Sequence, residues 1–233
     1  MEIFGVKVAE LISEPALETL MWRIPQQKRE RLKRFKRVEA LQHSLIAELL
    51  VRVSLNKRLK VNNRDIEFVT NVYGKPSLKK RGGTVEFNIS HSGEWVVCAL
   101  DELPIGIDIE QIQQADLNIA KRFFSQDEYV QLTECEEMGR MSLFFDLWTL
   151  KESYIKAIGK GLSLPLNSFS FRLNNGIQLE NHDAIGLYHF KQYHIDEKYK
   201  LAVCAQNPLF PGEVSVVNQC QFHQDCMQLL DAF

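Results

Sequence analysis

The segment PIGIDIEQI (104–112) places two carboxylates inside a run that is otherwise typical of a buried β-strand. Acidic residues are poor strand formers and are seldom fully buried without a partner. In an extended strand, residues i, i+2 and i+4 lie on one face. Gly106, Asp108 and Glu110 therefore share one face, and the three intervening isoleucines share the other. We predict that the isoleucines anchor this strand in the core and that the acidic face serves a different purpose.

Asp108 and Glu110 lie roughly 7 Å apart on such a strand, because each residue adds about 3.3 Å. Two negative charges at this distance are unfavourable unless a cation lies between them. Mg²⁺ prefers oxygen ligands and is the natural candidate, with Gly106 leaving room for a close approach. The alternative is a half-exposed strand whose outer face is acidic, since D-x-E is a short and common pattern. This segment alone leaves both interpretations open.

The composition narrows the class of protein. The chain has 233 residues, 45% of them hydrophobic and 25% charged, which is ordinary for a globular protein. A net charge of −2 gives no overall attraction to nucleic acid or to anionic membranes. Five cysteines without a C-x-x-C pair favour a reducing compartment over a disulfide framework or a zinc ribbon. Without an 18-residue apolar run or a basic leader, we expect a cytoplasmic protein.

Hydrophobic periodicity predicts the order strand, helix, strands in each half of the chain, which indicates an α+β (α/β) fold. A strand at the start is followed by a helical segment over residues 24–59 and by strands in IEFVTN, TVEFNIS and EWVVCAL. After the acidic strand, helices are predicted over ADLNIAKRFFSQDEYVQL and MSLFFDLWTLKESYIKAIGKG, the second ending at Gly159 or Gly161. Strands in SFSFRL, IQLEN, LYHFKQYHI and YKLAVCA complete the pattern.

A short repeat supports two similar halves. Val97-Cys98-Ala99 recurs as Val203-Cys204-Ala205, each time at the end of a strand-rich block. We therefore predict an N-terminal half over residues 1–105 and a C-terminal half over residues 106–210. Residues 211–233 are interpreted as an appended tail.

Three further segments carry candidate functional groups. In LWTLKESYIKAIGKG, helical spacing places Trp148, Glu152 and Lys156 on one stripe, although an ordinary i,i+4 ion pair would give the same pattern. FNISHSG (87–93) presents Ser90 and His91 near a strand end, where binding groups are often exposed. The run KRERLKRFKR (28–37) carries seven cations, typical of a solvated helix face or of a phosphate or nucleic-acid site.

In five segments, from about residue 3 to 210, the chain resembles the surfactin-synthetase-activating type of 4′-phosphopantetheinyl transferase. They are YGKPSL (73–78), FNISHSGEWVVCAL (87–100), PIGIDIE (104–110), KRFFSQDEY (121–129) and LWTLKESYIKAIGKGLSLPLNSFS (147–170). This resemblance implies a monomer folded as an intramolecular pseudo-dimer of two halves, with coenzyme A and Mg²⁺ in the cleft between them. It also implies transfer of the 4′-phosphopantetheine arm to a serine of a peptidyl or acyl carrier protein, as in nonribosomal peptide synthesis, with release of adenosine 3′,5′-bisphosphate.

The resemblance also implies roles for individual residues. The metal ligands would be Asp108, Glu110 and Glu152; Glu152 would be the base for the carrier serine, and Lys156 would contact the pyrophosphate and protonate the leaving phosphate. The nucleotide would be held by Lys28, Arg31, Ser44, Lys75, Ser90, His91 and Lys156, with His91 and Lys28 near the 3′-phosphate. The segment from Gly159 to Phe190, including Leu162, Leu164 and Leu166, would form the carrier docking surface.

The nucleotide site departs from the family pattern at three positions. The family often has an arginine and a glycine where this chain has His43 and Ala47, and a lysine where it has Arg31. Two other functions are compatible with the residues alone. One is a polyanion- or nucleic-acid-binding module that uses residues 28–37, and the other is a Mg²⁺-dependent phosphohydrolase.

Overall fold

The computed structural model describes residues 1–80, 83–174, 176–181 and 187–233. Its helices are α1 (Glu14–Met21), α2 (Gln26–Leu32), α3 (Val38–Leu59), α4 (Leu117–Phe123), α5 (Gln126–Glu134), α6 (Glu137–Ile158) and α7 (Gln219–Leu229). None of these helices, in the part of the chain described, is long and apolar enough to cross a membrane.

The strands form three sheets. They are β1 (Glu2–Lys7), β2 (Phe68–Thr70), β3 (Pro76–Lys80), β4 (Gly83–Ser92), β5 (Trp95–Asp101), β6 (Ile105–Gln111), β7 (Ser170–Arg172), β8 (Gln178–Glu180), β9 (His189–Tyr193), β10 (Tyr199–Ala205) and β11 (Ser215–Asn218). A six-stranded sheet has the order β11-β1-β5-β4-β3-β2, a three-stranded sheet has the order β6-β10-β9, and β7 pairs with β8. The predicted α+β fold class is confirmed.

The two halves repeat one arrangement. In the N-terminal half, β1 pairs antiparallel with β5, and β5 pairs with β4. In the C-terminal half, β6 pairs antiparallel with β10, and β10 pairs with β9. Each half also carries one helix of 22 residues, α3 or α6. The tripeptide repeat occupies equivalent places, since Cys98 lies opposite Phe4 on β1 and Cys204 lies opposite Gly106 on β6. The structure is therefore the pseudo-dimer that the resemblance implies.

Several boundaries differ from the sequence predictions. The continuous helix predicted over residues 24–59 is two helices, α2 and α3, separated by residues 33–37, and α1 was not predicted. The helix predicted over residues 115–132 is interrupted at Ser125, whose side chain begins α5 with a capping box to Glu128. The turn predicted around YGKPS leads directly into the unpredicted strand β3.

The segment after Pro211 is not an appendage. Strand β11 pairs in parallel with β1, and Phe222, Cys226 and Leu230 are buried in the core of the N-terminal half. An amphipathic helix at the end of a chain is stabilised by burying its apolar side. The hydrophobic periodicity of residues 219–229 is too weak to predict this helix from the sequence. The boundaries after residues 105 and 210 stay predictions.

Strand β6 joins the halves through its isoleucine face. Ile105, Ile107 and Ile109 are fully buried in a cluster that also contains Val97 of β5 and Val203 of β10. We call this cluster the inter-half core. Its members come from both sheets, so burial of the isoleucines holds the two halves together as the alternation in the sequence predicts.

Gly106 allows helix α6 to lie directly on strand β6. A Cβ atom at this position would collide with the Ser153 carbonyl oxygen and the Ala157 amide nitrogen of the helix backbone. The group that approaches Gly106 is thus a helix backbone, whereas the sequence suggested room for a ligand. This close contact brings the acidic face of β6 against the side chains of α6.

We expect Gly106→Ala to destabilise the protein by at least about 2 kcal/mol, because the helix backbone cannot move aside as a flexible side chain would. Denaturant unfolding monitored by circular dichroism measures this change. Gly212→Ala is the matched control, since a Cβ at Gly212 meets nothing within 4 Å. Equal stability of the two variants would contradict the proposed packing role.

Candidate active site

Polar side chains of β4 take the place of a neighbouring strand along the free edge of β6. The Ile107 amide donates to the Asn88 side-chain oxygen at 2.9 Å, and the Gln111 amide donates to the Ser92 hydroxyl at 3.1 Å. Buried backbone N–H groups need such acceptors when a sheet ends. The polar alternation in FNISHSG therefore fixes β4 against β6, with Asn88, Ser90 and Ser92 facing that strand.

Asp108 is buried beside Lys156. Its Oδ1 atom lies 2.6 Å from the Lys156 ammonium and accepts a hydrogen bond from the Ser90 hydroxyl at 2.9 Å. Lys156 also donates to Ser90 at 3.2 Å. Burial raises the pKa of Asp108, and the interactions with Lys156 and Ser90 oppose that increase. Three predicted site residues from β4, β6 and α6 thus form one network.

Glu110 lies next to this network on the same face of β6. The Ser92 hydroxyl donates to its Oε2 atom at 2.8 Å. Burial and the charge of Asp108 raise the pKa of Glu110, while Ser92, Lys156 and the Trp148 indole oppose the increase. The side chain is held in place but keeps part of its surface open to solvent.

Glu152 on α6 completes a cluster of three carboxylates, Asp108, Glu110 and Glu152, which we call the carboxylate cluster. Burial and the charge of Asp108, with a smaller contribution from Glu110, raise the pKa of Glu152 to about 7, against the effect of Lys156. A carboxyl group with a pKa near 7 exchanges protons readily at neutral pH. Such a group is suited to act as a general base.

The donor set of the carboxylate cluster fits a hard divalent cation. The Oδ2 atom of Asp108 is buried and has no hydrogen-bond partner, and all three carboxylates have raised pKa values that a cation would lower. Within the described ranges, no three such side chains are arranged closely enough to hold an ion by themselves. Mg²⁺ commonly uses one or two protein carboxylates together with water and substrate phosphates.

The residues predicted to hold a nucleotide differ in their exposure to solvent and in their partners. Lys28 on α2 lies 3.0 Å from Glu48 on α3, Ser44 is half-buried on α3, and Arg31 is exposed. The Lys75 ammonium donates to the carbonyl oxygens of Ile105 and Ala157 and lies 3.2 Å from Glu86.

The side chain of Lys75 therefore links the two halves, which its place in a turn did not predict. Asn71 adds a second link, since its amide donates to the Gly159 carbonyl oxygen at 2.9 Å. Gly159 has a φ of 73° and ends α6, so of the two ends predicted, Gly159 and Gly161, the structure has the first. Binding of a nucleotide by Lys75 stays a prediction.

His43, which the sequence marked only as a departure from the family pattern, stacks its ring on that of His91. The ring centroids are 5.5 Å apart. Residues 87, 89 and 91 of β4 point away from β6, so the pair lies on the side of β4 that faces α3. Only the long-range pairing of α3 with β4 brings these rings together, and no local motif indicates it.

Lys151 and Glu128 form a buried ion pair that the sequence also did not reveal. The Lys151 ammonium lies 2.8 Å from Glu128 and donates to the carbonyl oxygens of Leu166 and Phe169, so all three of its protons are used. Glu128 also accepts from the Phe171 amide at 2.9 Å. The pair fixes α6 to α5 and to the segment before β7. The sequence feature that could have indicated this buried pair is a lysine on an apolar helix, with Leu147, Leu150 and Tyr154 close to it.

A pseudo-dimer with a carboxylate cluster between its halves is the architecture expected of the phosphopantetheinyl transferases, and comparison with known proteins agrees. The model of the 4′-phosphopantetheinyl transferase superfamily matches residues 104–204. The model of the 4′-phosphopantetheinyl transferase N-terminal region matches residues 13–103. The chain belongs to this family and is a transferase, which confirms the resemblance seen in the sequence.

Individual relatives match over nearly the whole chain. The 4′-phosphopantetheinyl transferase Sfp of Bacillus subtilis is 41% identical over 94% of this chain and 98% of its own length. The transferase gsp of Aneurinibacillus migulanus is 37% identical over 100% of this chain and 96% of its own length. Among solved structures, a holo-[acyl-carrier-protein] synthase of Thermotoga maritima aligns with 44% of this chain and 62% of its own, at 22% identity and a TM-score of 0.39.

We expect Lys151→Met to lower the free energy of unfolding by about 3–5 kcal/mol, because it leaves the Glu128 carboxylate buried without its cation. Adding Glu128→Gln should recover part of this loss, since an amide is less costly to bury than an unpaired charge. Urea unfolding of both variants tests this, with Lys160→Met as the control because Lys160 is exposed just beyond the same helix. A Lys151→Met variant as stable as the control would contradict the expected role of the pair.

Proposed function

We propose that this protein transfers the 4′-phosphopantetheine arm of coenzyme A to a serine of an apo peptidyl or acyl carrier protein, in a Mg²⁺-dependent reaction that releases adenosine 3′,5′-bisphosphate. The observation that carries the proposal is the carboxylate cluster beside Lys156, built between the two halves. Sfp and gsp, which match the chain over most of its length, are named 4′-phosphopantetheinyl transferases.

The proposed metal ligands are Asp108, Glu110 and Glu152. Mg²⁺ bound there would neutralise negative charge on the pyrophosphate oxygens. The orphaned Oδ2 atom of Asp108 supports this role, because a buried acceptor without a donor is otherwise costly. Ser90 and Ser92 hold the first two carboxylates in place through their hydroxyl groups.

Glu152 is the proposed general base. Its carboxylate, next to Asp108 and Lys156, would remove the proton from the carrier serine as that oxygen attacks the phosphorus atom next to the pantetheine arm. An O–P bond to serine forms, and the bond from this phosphorus to the bridging pyrophosphate oxygen breaks. Lys156 is proposed to exchange Asp108 for the leaving phosphate and to donate a proton to it, and the exposure of about a quarter of its side chain supports this role.

Lys28, Arg31, Ser44, Ser90 and His91 are proposed to hold the nucleotide. Lys28 and His91 both contact α3, through Glu48 and His43 respectively. A chain with a net charge of −2 needs local cations to receive the phosphates of coenzyme A. Lys75 is part of the same proposal, and its ammonium would exchange its acceptors between the halves for the nucleotide.

The carrier protein is proposed to dock on the segment from Gly159 to Phe190. Leu162 is 74% exposed, Leu164 is half-buried and Leu166 is buried, so Leu162 is the apolar side chain available for contact. Residues 175 and 182–186 of this segment lie outside the described residues. We also propose that the protein acts as a monomer in the cytoplasm, since one chain supplies both halves and its five cysteines are unpaired.

The proposed reaction predicts a mass increase of roughly 340 Da on a carrier domain incubated with coenzyme A, Mg²⁺ and this protein. Mass spectrometry of intact carriers measures it. Addition of excess EDTA should abolish the increase, and Mg²⁺ in excess of EDTA should restore it. If a panel of peptidyl and acyl carriers shows no increase, the proposed function is wrong.

We expect Glu152→Gln to reduce kcat about a hundredfold or more, because an amide cannot accept the serine proton. Glu137→Gln is the matched control, since Glu137 is exposed in the first turn of the same helix. The unfolding midpoint of Glu152→Gln should be no lower than that of the wild type, since a buried negative charge is removed, and a loss of kcat is then not a loss of stability. Wild-type kcat in Glu152→Gln would refute the role of Glu152 as the base.

A further inference from the structure

Arg52 on α3 is the largest fully buried side chain among the residues that the structure describes, with 1% of its surface exposed. The reaction proposed above gives it no role. Its guanidinium lies 5.2 Å from the ring centroid of Phe68 and 5.4 Å from that of Phe233. Burying a guanidinium is costly unless its charge is paired and its protons are accepted. The partners of Arg52 therefore indicate what this charge does.

Arg52 holds one oxygen of Glu48 in a fixed place. Its Nε atom donates to Glu48 Oε1 at 2.9 Å, and its Nη1 atom donates to the side-chain and main-chain oxygens of Asn63 at 3.0 and 3.2 Å. Asn63 is fully buried and donates in turn to the carbonyl oxygens of Arg23 and Asp231. Because Asn63 and two aromatic rings fix the guanidinium, the Glu48 carboxylate is fixed as well.

The other oxygen of Glu48 reaches Lys28 on α2. Glu48 Oε2 lies 3.0 Å from the Lys28 ammonium, whose side chain is 43% exposed. In the part of the chain that is described, Glu48 is the one hydrogen-bond acceptor of this ammonium, which carries three protons. Two protons are therefore left for an anion that arrives from solvent. We call Arg52, Glu48 and Lys28 the ion-pair chain.

The buried end of the ion-pair chain sets the charge at its exposed end. Glu48 by itself would cancel the charge of Lys28, and a phosphate would meet a neutral pair. Arg52 adds a second positive charge, so two positive charges and one negative charge leave a net charge of +1. A buried charge is screened less by water and salt than an exposed one, so Arg52 influences an anion that it does not touch.

We propose that Arg52 is a positioning residue of the nucleotide site that acts through Glu48. It offsets the charge of Glu48 and holds that carboxylate where its second oxygen orients Lys28 toward the phosphates of coenzyme A. The proposal rests on the proposed function, in which Lys28 contacts the nucleotide. A lysine that is already oriented loses less conformational entropy on binding. Arg52 thus increases the affinity for coenzyme A and takes no part in phosphoryl transfer.

Neutralising Arg52 separates this role from a structural one. Isothermal titration calorimetry with Mg²⁺ present gives the Kd of coenzyme A, and its stoichiometry gives the fraction of binding-competent protein. We expect Arg52→Met to raise the Kd about five- to tenfold, because the ion-pair chain becomes neutral. The KM for coenzyme A should rise by a similar factor, while kcat and the KM for the carrier stay within about twofold of the wild type.

Two variants of Glu48 test the route of the effect. Glu48→Gln keeps an acceptor for Lys28 and removes the negative charge, so it should bind coenzyme A at least as tightly as the wild type. The double variant Arg52→Met/Glu48→Gln has the wild-type net charge, because Lys28 alone remains charged. Its Kd should lie within about threefold of the wild-type value. It leaves no unpaired buried charge, so we expect it to fold even if Arg52→Met does not.

Arg58→Met is the matched control. Arg58 is a largely buried arginine of the same helix, which donates to the Leu100 carbonyl oxygen and pairs with Glu2, so its loss should leave the Kd unchanged. A wild-type Kd in Arg52→Met would overturn the inference and leave the proposed function intact. So would weaker binding in Glu48→Gln, or a double variant that binds at least about fivefold more weakly than the wild type. Absence of any binding of coenzyme A to the wild type would overturn both.

Discussion

The free edge of β6 is the constraint on which the rest of the structure depends. Its sheet ends there, so the amides of Ile107 and Gln111 need acceptors from outside. Side chains of β4 provide them, and burial of the isoleucine face against β5 closes the interface between the halves. The same arrangement places Ser90 beside Asp108, so the contact that joins the halves also builds the site.

The carboxylate cluster is costly in the free protein, and Lys156 limits that cost. Asp108 is almost fully buried, and its charge is compensated on one oxygen while the other has no partner. Glu110 and Glu152 add negative charge nearby, which the raised pKa of each reflects. Such concentrations of perturbed carboxyl groups are typical of functional sites, because a structural core would avoid them.

Two buried lysines outside the carboxylate cluster have hydrogen-bond acceptors for their ammonium groups. Lys151 uses all its protons on buried acceptors, and Lys75 bridges the halves in the same way. Lys151 fixes α6 to α5 and to the segment before β7, and Lys75 fixes the C-terminal end of α6 to β6. Lys156 and the two stacked histidines keep surface open to solvent, so they are the groups free to change partners when a ligand arrives. A rigid frame around exchangeable groups is the arrangement that precise positioning requires.

The sequence by itself determined the strand alternation at residues 104–112 and the family, and it limited the end of α6 to Gly159 or Gly161, because each depends on local geometry or on motifs in a fixed order. It did not show that α6 lies on Gly106 or that Lys75 links the halves. Nor did it show that His43 meets His91, since each contact joins residues far apart in the chain. Hydrophobic periodicity indicates which face of a helix or strand is apolar. Which polar groups meet at an interface between two elements is decided only by how those elements pack.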